Sequence, residues 1–251
     1  MPWNRLSLTG LLLACTSLID CLASPTAAAD EDDYGAMRRR LRAEIEQVAA
    51  ETADSTGRPR FSVRVMDAID AVPRHRFVPA RELKYAYANR PLPIGYGQTI
   101  SQPYIVALMT ELLEPKPGDV MLEVGTGSGY QAAVLAKLVA RVYTIEIVPQ
   151  LAKGAVLRLE QLGYGNVEVR LGDGYYGWPE HGPFDGIIVT AAANAIPPPL
   201  IEQLKPGGRM LIPVGAPFSA QELIVLTKDA NGKVSTQSVL PVAFVPLTGS
   251  R

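Results

Sequence analysis

Beyond Pro117 the chain switches repeatedly between short apolar runs and longer stretches whose apolar positions recur every three or four residues. The runs Val120–Val124, Val142–Glu146, Val167–Leu171, Asp185–Thr190 and Arg209–Pro213 predict strands. Val120-Met121-Leu122-Glu123-Val124 is nearly continuous, as a strand covered on both faces should be. The stretches from about Tyr130 to Leu138, Pro149 to Leu162 and Pro199 to Leu204 predict helices, the last closed by Lys205-Pro206-Gly207-Gly208. Glu222–Thr227 and Lys233–Leu240, joined at Asn231-Gly232, predict an antiparallel pair. Strand and helix in alternation imply an α/β fold, a mostly parallel sheet with helices on both faces.

Upstream the grammar is helical. One helix is predicted from about Tyr34 to Ala53, a loop from Asp54 to Arg60, and a second helix from about Ser62 to Ala71 that Pro73 stops. A proline- and glycine-rich passage, Pro91 to Gly97, leads to a helix with Pro103 in its first turn, Ser101 as its cap, and Ile105, Leu108, Met109 and Leu112 as its apolar stripe. There is no internal repeat.

The first thirty residues differ from the rest. Arg5 precedes the Leu-rich run Leu6–Ala14, and Ala27-Ala28-Ala29 before Asp30-Glu31-Asp32-Asp33 has the form of a signal-peptidase site. Residues 1–29 therefore read as a signal peptide, too short and too interrupted by Asp20 for a stable membrane span, which makes the protein exported or periplasmic. Leu12-Leu13-Ala14-Cys15 also resembles a lipoprotein box, which would anchor the protein at Cys15; a start near Met37 would leave it cytoplasmic. Cys15 and Cys21 both lie in this leader, so residues 30–251 hold no disulfide, Cys-ligated metal or Cys nucleophile. His75 and His181 are the only histidines, which offers no metal cluster, and each reads as structural. A net charge of −1 gives no footprint for nucleic acid, and Arg38, Arg39, Arg40 and Arg42 read as a solvated helix face.

The strongest chemical signal is Glu123-Val124-Gly125-Thr126-Gly127-Ser128-Gly129-Tyr130, between a buried strand and a helix. Glycines there let backbone approach a ligand, and the helix start offers free N–H groups. A dinucleotide loop wants Gly or Ala at the sixth position of its motif, where this chain has Tyr130; the acid Glu123 before the loop suits a cofactor that carries an amino acid. Glu146 ends the next strand at the distance where an acid reaches ribose hydroxyls, and Asp173 in Gly172-Asp173-Gly174 can accept from an adenine amino group. Acids at three successive strand ends point to an S-adenosylmethionine site. Tyr175, Tyr176 and Trp178 read as packing beside it.

Pro93-Ile94-Gly95-Tyr96-Gly97-Gln98-Thr99-Ile100-Ser101-Gln102-Pro103 is similar to the signature segment of protein-L-isoaspartate O-methyltransferases. Val72–Pro79, Gly125–Tyr130, Gly172-Asp173-Gly174, Phe184–Ala191 and Leu204–Gly208 resemble that family's other blocks, so the likeness covers about Met37 to Thr248. The resemblance implies a Rossmann-like class I methyltransferase fold, with a mostly parallel seven-stranded sheet, an antiparallel C-terminal hairpin and N-terminal helices. It implies one methyltransferase domain over residues 30–251, of which 30–116 form a helical and substrate segment and 117–251 the cofactor-binding sheet. Carried over residue by residue, it makes Ser101 the active-site residue. Glu123, Gly125, Thr126, Gly127, Gly129, Glu146, Asp173 and Gly174 would hold S-adenosylmethionine, and Thr99, Val245, Pro246 and Leu247 the substrate.

The implied reaction esterifies the free α-carboxylate of L-isoaspartyl residues in damaged proteins and peptides, by a monomer that needs no nucleic acid partner. Family chemistry then carries the ester through a succinimide back to some normal aspartate. A carboxylate with a reference pKa of about 4 is already a nucleophile at neutral pH, so the scarcity of histidine is no obstacle. Three rivals are a methyltransferase with another acceptor, an NAD-dependent oxidoreductase, and a module that binds aged peptides without turnover. The Gln98–Pro103 segment opposes the first, the glycine spacing the second, and the intact cofactor acids the third.

Overall fold

In the computed structural model the chain divides into two units, Met1–Gly35 and Ala36–Arg251. The structure describes residues 1, 25–216 and 219–249, with side chains of the first helix described from residue 33 onward. Apart from Met1 and the helical backbone at its end, the expected leader, with Cys15 and Cys21, lies outside the described residues. Among the described residues no helix is long and apolar enough to cross a membrane.

Helix α1 spans Pro25–Glu51, and a short α2 covers Ala53–Thr56. The predicted loop at 54–60 is thus helical at its start, and Gly57 ends it with φ 65° in the left-handed region. Helix α3 (Val63–Ala71) begins at Ser62, whose hydroxyl accepts from the Val65 N–H. Within the second unit, Arg42 is paired with Glu46, Asp67 and Asp70, so this arginine joins α1 to α3, and the predicted solvated face applies to Arg40, which bonds only Glu44.

The passage at Pro91 hides a hairpin that periodicity did not show. Strands β1 (Leu92–Gly95) and β2 (Gln98–Ile100) pair across a tight turn in which Gly95, Tyr96 and Gly97 all have positive φ. Pro93 is tolerated there because the two strands form a separate edge pair. Helix α4 (Pro103–Leu113) follows, with Gln102 as N-cap instead of the predicted Ser101. Pro103 has no N–H to cap, and the next one, on Tyr104, is taken by Asn89 Oδ1 at 3.0 Å. Ser101 is thereby released from capping. Nearly the whole of α4 is buried, with Ile105 part-exposed beside an apolar recess, so the predicted stripe is wider than expected.

The main sheet follows from β3 (Val120–Val124), β4 (Arg141–Glu146), β5 (Val167–Leu171), β6 (Phe184–Val189), β7 (Leu204–Val214), β8 (Gln221–Lys228) and β9 (Val234–Val242). Their order is β5-β4-β3-β6-β7-β8-β9, parallel as far as β7 and antiparallel after it. Helices α5 (Tyr130–Ala136), α6 (Pro149–Gln161) and α7 (Pro198–Glu202) are the crossovers. The strand order reverses between β3 and β6, and ligands of such sheets bind outside the carboxyl ends at that point. Leu122, Val124, Ile145, Phe184, Ile187, Met210 and Ile212 form the core beneath it, all almost fully buried.

Strand β7 begins at Leu204, earlier than the predicted Arg209. Residues 205–208 bulge out between the pairs Phe184–Leu204 and Gly186–Arg209, so the Lys-Pro-Gly-Gly turn survives as an irregularity within a strand. Gly186 allows α4 to lie close on β6, since a Cβ there would stand 2.6 Å from Met121 Sδ and 3.0 Å from Leu113 Cδ1. Gly186→Ala should therefore lower stability by about 1–3 kcal/mol through overpacking. The check is a fall in the urea midpoint with an unchanged m-value.

Candidate active site

The turn after β3 is where local sequence becomes a binding surface. Gly125 and Thr126 both donate N–H bonds to the Ile145 carbonyl (2.8 and 3.1 Å), which folds the loop back over β4. Gly125, Gly127 and Gly129 have φ values of 99°, 54° and 90°, a region closed to most side chains. Thr190, just past β6, donates its hydroxyl to the Gly125 carbonyl at 2.7 Å, and a Cβ on Gly125 would stand 2.5 Å from that oxygen. The loop is clasped from both neighbouring strands.

Glu123 and Glu146 lie beneath and beside it. The Glu146 carboxylate accepts from the Gly127 N–H (2.7 Å) and the Val148 N–H (2.9 Å), which ties the β4 end to the loop. Glu123 stands opposite Thr144 in the β3–β4 register, and Thr144 donates to its Oε2 at 2.5 Å. Thr126 continues the chain of hydroxyls, 2.7 Å from Thr144 Oγ1. Glu123 is wholly buried and its Oε1 has no partner. Burial in this apolar interior pushes the carboxyl up to about 8, with the nearby Glu146 charge adding to the shift and the Thr144 hydrogen bond opposing it.

Around the loop lies a cleft of two joined chambers. The first is walled by Gln98–Ser101, by Glu123 to Ser128, by Glu146, Gly174 and Thr190, and by Val245–Thr248. The second, about 450 Å³, is walled by Pro91, Ile105, Pro241–Val245 and the Ser101 side of the hairpin. Thr99, Ser101, Thr190 and Val245 line both. Among the described residues no Lys or Arg lines either chamber. Among the described residues the Ser101 hydroxyl has no hydrogen-bond partner, while its carbonyl accepts from Arg74 Nη2 at 2.8 Å.

The segment after β9 crosses the cleft as a strap. The Gln221 side chain holds Phe244 from both directions: it accepts from the Phe244 N–H (2.7 Å) and donates to the Phe244 carbonyl (3.1 Å). Ala192 then donates to the Val245 carbonyl (2.8 Å) and accepts from the Leu247 N–H (2.7 Å), a short parallel bridge.

Eleven of the thirteen residues singled out from sequence meet on this cleft: Thr99, Ser101, Glu123, Gly125, Thr126, Gly127, Glu146, Gly174, Val245, Pro246 and Leu247. Gly129 and Asp173 stand off its walls. Gly129 is the left-handed N-cap of α5, and a Cβ on it would press on Leu159 of α6 at 3.2 Å, so its service is helix packing. Asp173 Oδ1 accepts from the Tyr175 N–H (2.9 Å), while its buried Oδ2 is unpartnered and faces Gly249. Next to it, Gly174 approaches Val124 so closely that any Cβ would collide with that side chain. Sequence reading missed Thr144, Thr190, Asn89 and Arg74, whose roles come from register and tertiary contact and leave no local pattern. His75 (hydrogen-bonded to Tyr87) and His181 (stacked 4.1 Å from Tyr143) lie outside the cleft. Tyr143 and Trp178 pack together in the same cluster.

Comparison with known proteins agrees with this geometry. Residues 55–251 match the family model for protein-L-isoaspartate(D-aspartate) O-methyltransferase. A protein-L-isoaspartate O-methyltransferase of Syntrophobacter fumaroxidans is 59% identical over 232 residues, 92% of this chain and 94% of the relative. One from Nitrosospira multiformis is 52% identical over 249 residues, 99% of both chains. Among solved structures, a protein-L-isoaspartate O-methyltransferase superposes with a TM-score of 0.74 at 29% identity, covering 84% of this chain and 66% of that one. A Plasmodium falciparum structure of the same description, in complex with S-adenosyl-L-homocysteine, gives 0.66 at 26% identity over 81% of this chain and 98% of its own.

The buried Glu123 carboxyl makes a prediction about pH. Its folded pKa lies above the ordinary carboxylate value, so the folded protein holds a proton that the unfolded chain releases, and stability falls as pH rises from about 5 through 8. Glu123→Gln should remove that term. Calorimetric melting at pH 5 and pH 8 should show the variant gaining on wild type at the higher pH; a constant difference would refute the assignment.

Proposed function

The chain belongs to the protein-L-isoaspartate(D-aspartate) O-methyltransferase family, and from that premise we propose that it transfers the methyl group of S-adenosylmethionine to the free α-carboxylate of L-isoaspartyl residues, initiating their repair. The observation that carries this reading is the junction of the two chambers, where Ser101 and Thr99 of the hairpin segment stand on the wall common to both.

The residues of the first chamber fit the cofactor. Among the described residues two buried carboxyl oxygens are left without donors: Glu123 Oε1 on the chamber wall, suited to an ammonium, and Asp173 Oδ2 off the wall beside Gly249, suited to an adenine amino group. Glu146 has lone pairs to spare for a ribose diol beside the two N–H groups it already accepts. Gly127 presents bare backbone at the loop's crest, and Gly174 lets its own segment close on β3. Contact with Asp173 requires the strap end at Gly249 to shift aside. When bound, S-adenosylmethionine supplies an electrophilic methyl group whose leaving group needs no proton.

The chain's own part is placement. The acceptor carboxylate is ionised at neutral pH, so no residue need remove a proton from it. Ser101 offers a hydroxyl that no other described residue uses, and a hydroxyl bonded to a carboxylate fixes the attacking oxygen. Holding donor and acceptor in line is worth on the order of 7–11 kcal/mol in well-oriented pairs. Val245, Pro246 and Leu247 lie extended beside Ala192, an edge suited to an extended peptide. The second chamber, with Ile105, Pro241, Val242 and Phe244, would take an apolar neighbour of the isoaspartate.

We read residues 1–29 as an export signal on the sequence pattern above, and the enzyme as a monomer acting on proteins and peptides without nucleic acid, since a net charge of −1 offers no basic footprint. Fractionation of cells expressing the full chain checks the first point: periplasmic protein beginning at Asp30 is expected, and intact cytoplasmic protein would refute it.

Transfer of labelled methyl groups to matched peptides tests the reaction. Base-labile label is expected on the L-isoaspartyl peptide and none on its L-aspartyl twin. Ser101→Ala should reduce kcat/KM about ten- to a hundredfold, the weight of a hydrogen bond to a charged group. Cofactor binding without label on either peptide would refute the acceptor.

A further inference from the structure

Arg74 is 0% exposed, the largest of the fully buried side chains. It sits in the short 3-10 turn Arg74–Phe77, held by Nε to the Ala86 carbonyl (3.0 Å) and by Nη2 to the Ser101 carbonyl (2.8 Å). Its guanidinium lies over the Tyr130 ring, 4.7 Å from the centroid. Nη1 and the Tyr130 hydroxyl both lack a partner of hydrogen-bond geometry, although the phenol lies near enough to favour the charge, and among the described residues no carboxylate pairs with the guanidinium. Burial lowers its pKa, yet a guanidinium starts so high that it stays charged. A buried charge without a counter-ion is costly, and an apolar residue of similar volume would fill the space at least as well. Packing alone does not account for it.

The missing counter-charge has a place in the reaction. The walls of the first chamber carry two carboxyl groups, Glu123 and Glu146, those of the second carry none, and among the described residues no lysine or arginine lines either. An anionic acceptor thus enters a cleft that offers it no cationic side chain, beside the Glu146 carboxylate and a Glu123 carboxyl that burial keeps protonated near neutral pH. Arg74 stands directly behind that wall: one of its bonds ends on Ser101, which lines both chambers, and the ring beneath it, Tyr130, lines the first. We propose that Arg74 is a positioning residue that anchors Ser101 through its carbonyl, and that the substrate's α-carboxylate is the partner of its buried charge. This rests on an isoaspartyl carboxylate being the acceptor.

The test compares two peptides bound to the full enzyme with S-adenosylhomocysteine present, one with the L-isoaspartyl α-carboxylate and one with a neutral α-carboxamide there. Wild type should prefer the carboxylate. Arg74→Gln keeps a donor for the Ser101 carbonyl but drops the charge. It should weaken carboxylate binding roughly ten- to thirtyfold, the order for a charge acting across one peptide group at an effective dielectric of about 20. Carboxamide binding should stay unchanged. Arg74→Lys keeps the charge without the fork, so the preference should persist while kcat falls. Melting temperature and S-adenosylhomocysteine binding report folding. Should Arg74→Gln not fold, Arg74→Lys decides: a kept preference supports the assignment and a lost one overturns it. Equal weakening of both peptides in Arg74→Gln, or no weakening, also overturns it, with wild-type methyl transfer intact. If wild type methylates no isoaspartyl peptide, the acceptor assignment fails first, and the charge argument falls with it.

Discussion

The backbone turn from Gly125 to Gly129 has to pass between two parallel strands at the place where the sheet reverses its order, and almost every other feature of the cleft answers to that constraint. Its carbonyls and N–H groups leave the sheet ladder there and need new partners. Thr190 from β6, the Ile145 carbonyl from β4 and the Glu146 carboxylate supply them. Because those partners come from both flanking strands, the loop cannot move without disturbing the sheet. The site inherits its rigidity from the core beneath it.

Charge is the second organising term. One reactant is cationic and the other anionic, and their charges cancel as the ester forms, so a dry cleft disfavours the separated reactants more than the transition state. The acids Glu123 and Glu146 line the first chamber, while the buried Arg74 is bonded to the Ser101 carbonyl at the junction of the two. The Thr126–Thr144–Glu123 relay shows how far inside the sheet this polarity reaches.

The sheet was legible because parallel strands buried on both faces leave continuous apolar runs, and because Gly, Pro and Asn-Gly mark their ends. The cleft was legible to the extent that its parts are consecutive, as in Gly125–Gly129 and Gln98–Pro103. Strands β1 and β2 were not, since four residues containing Pro93 carry no period. The cap of α4 was misread because Ser101 has the right chemistry one residue too early, and the acceptor, Asn89, is fifteen residues away. Thr144 became visible only as the register partner of Glu123. Gly129 belongs to the same motif, and its left-handed φ also serves the start of α5 and the approach of Leu159.

The strap across the cleft is fastened unevenly. Gln221 grips it at Phe244 and Ala192 grips it at Val245 and Leu247, whereas Gly249 only lies against the Asp173 carboxylate. The wall at Val245–Leu247 is therefore fixed to the sheet independently of the contact at Gly249.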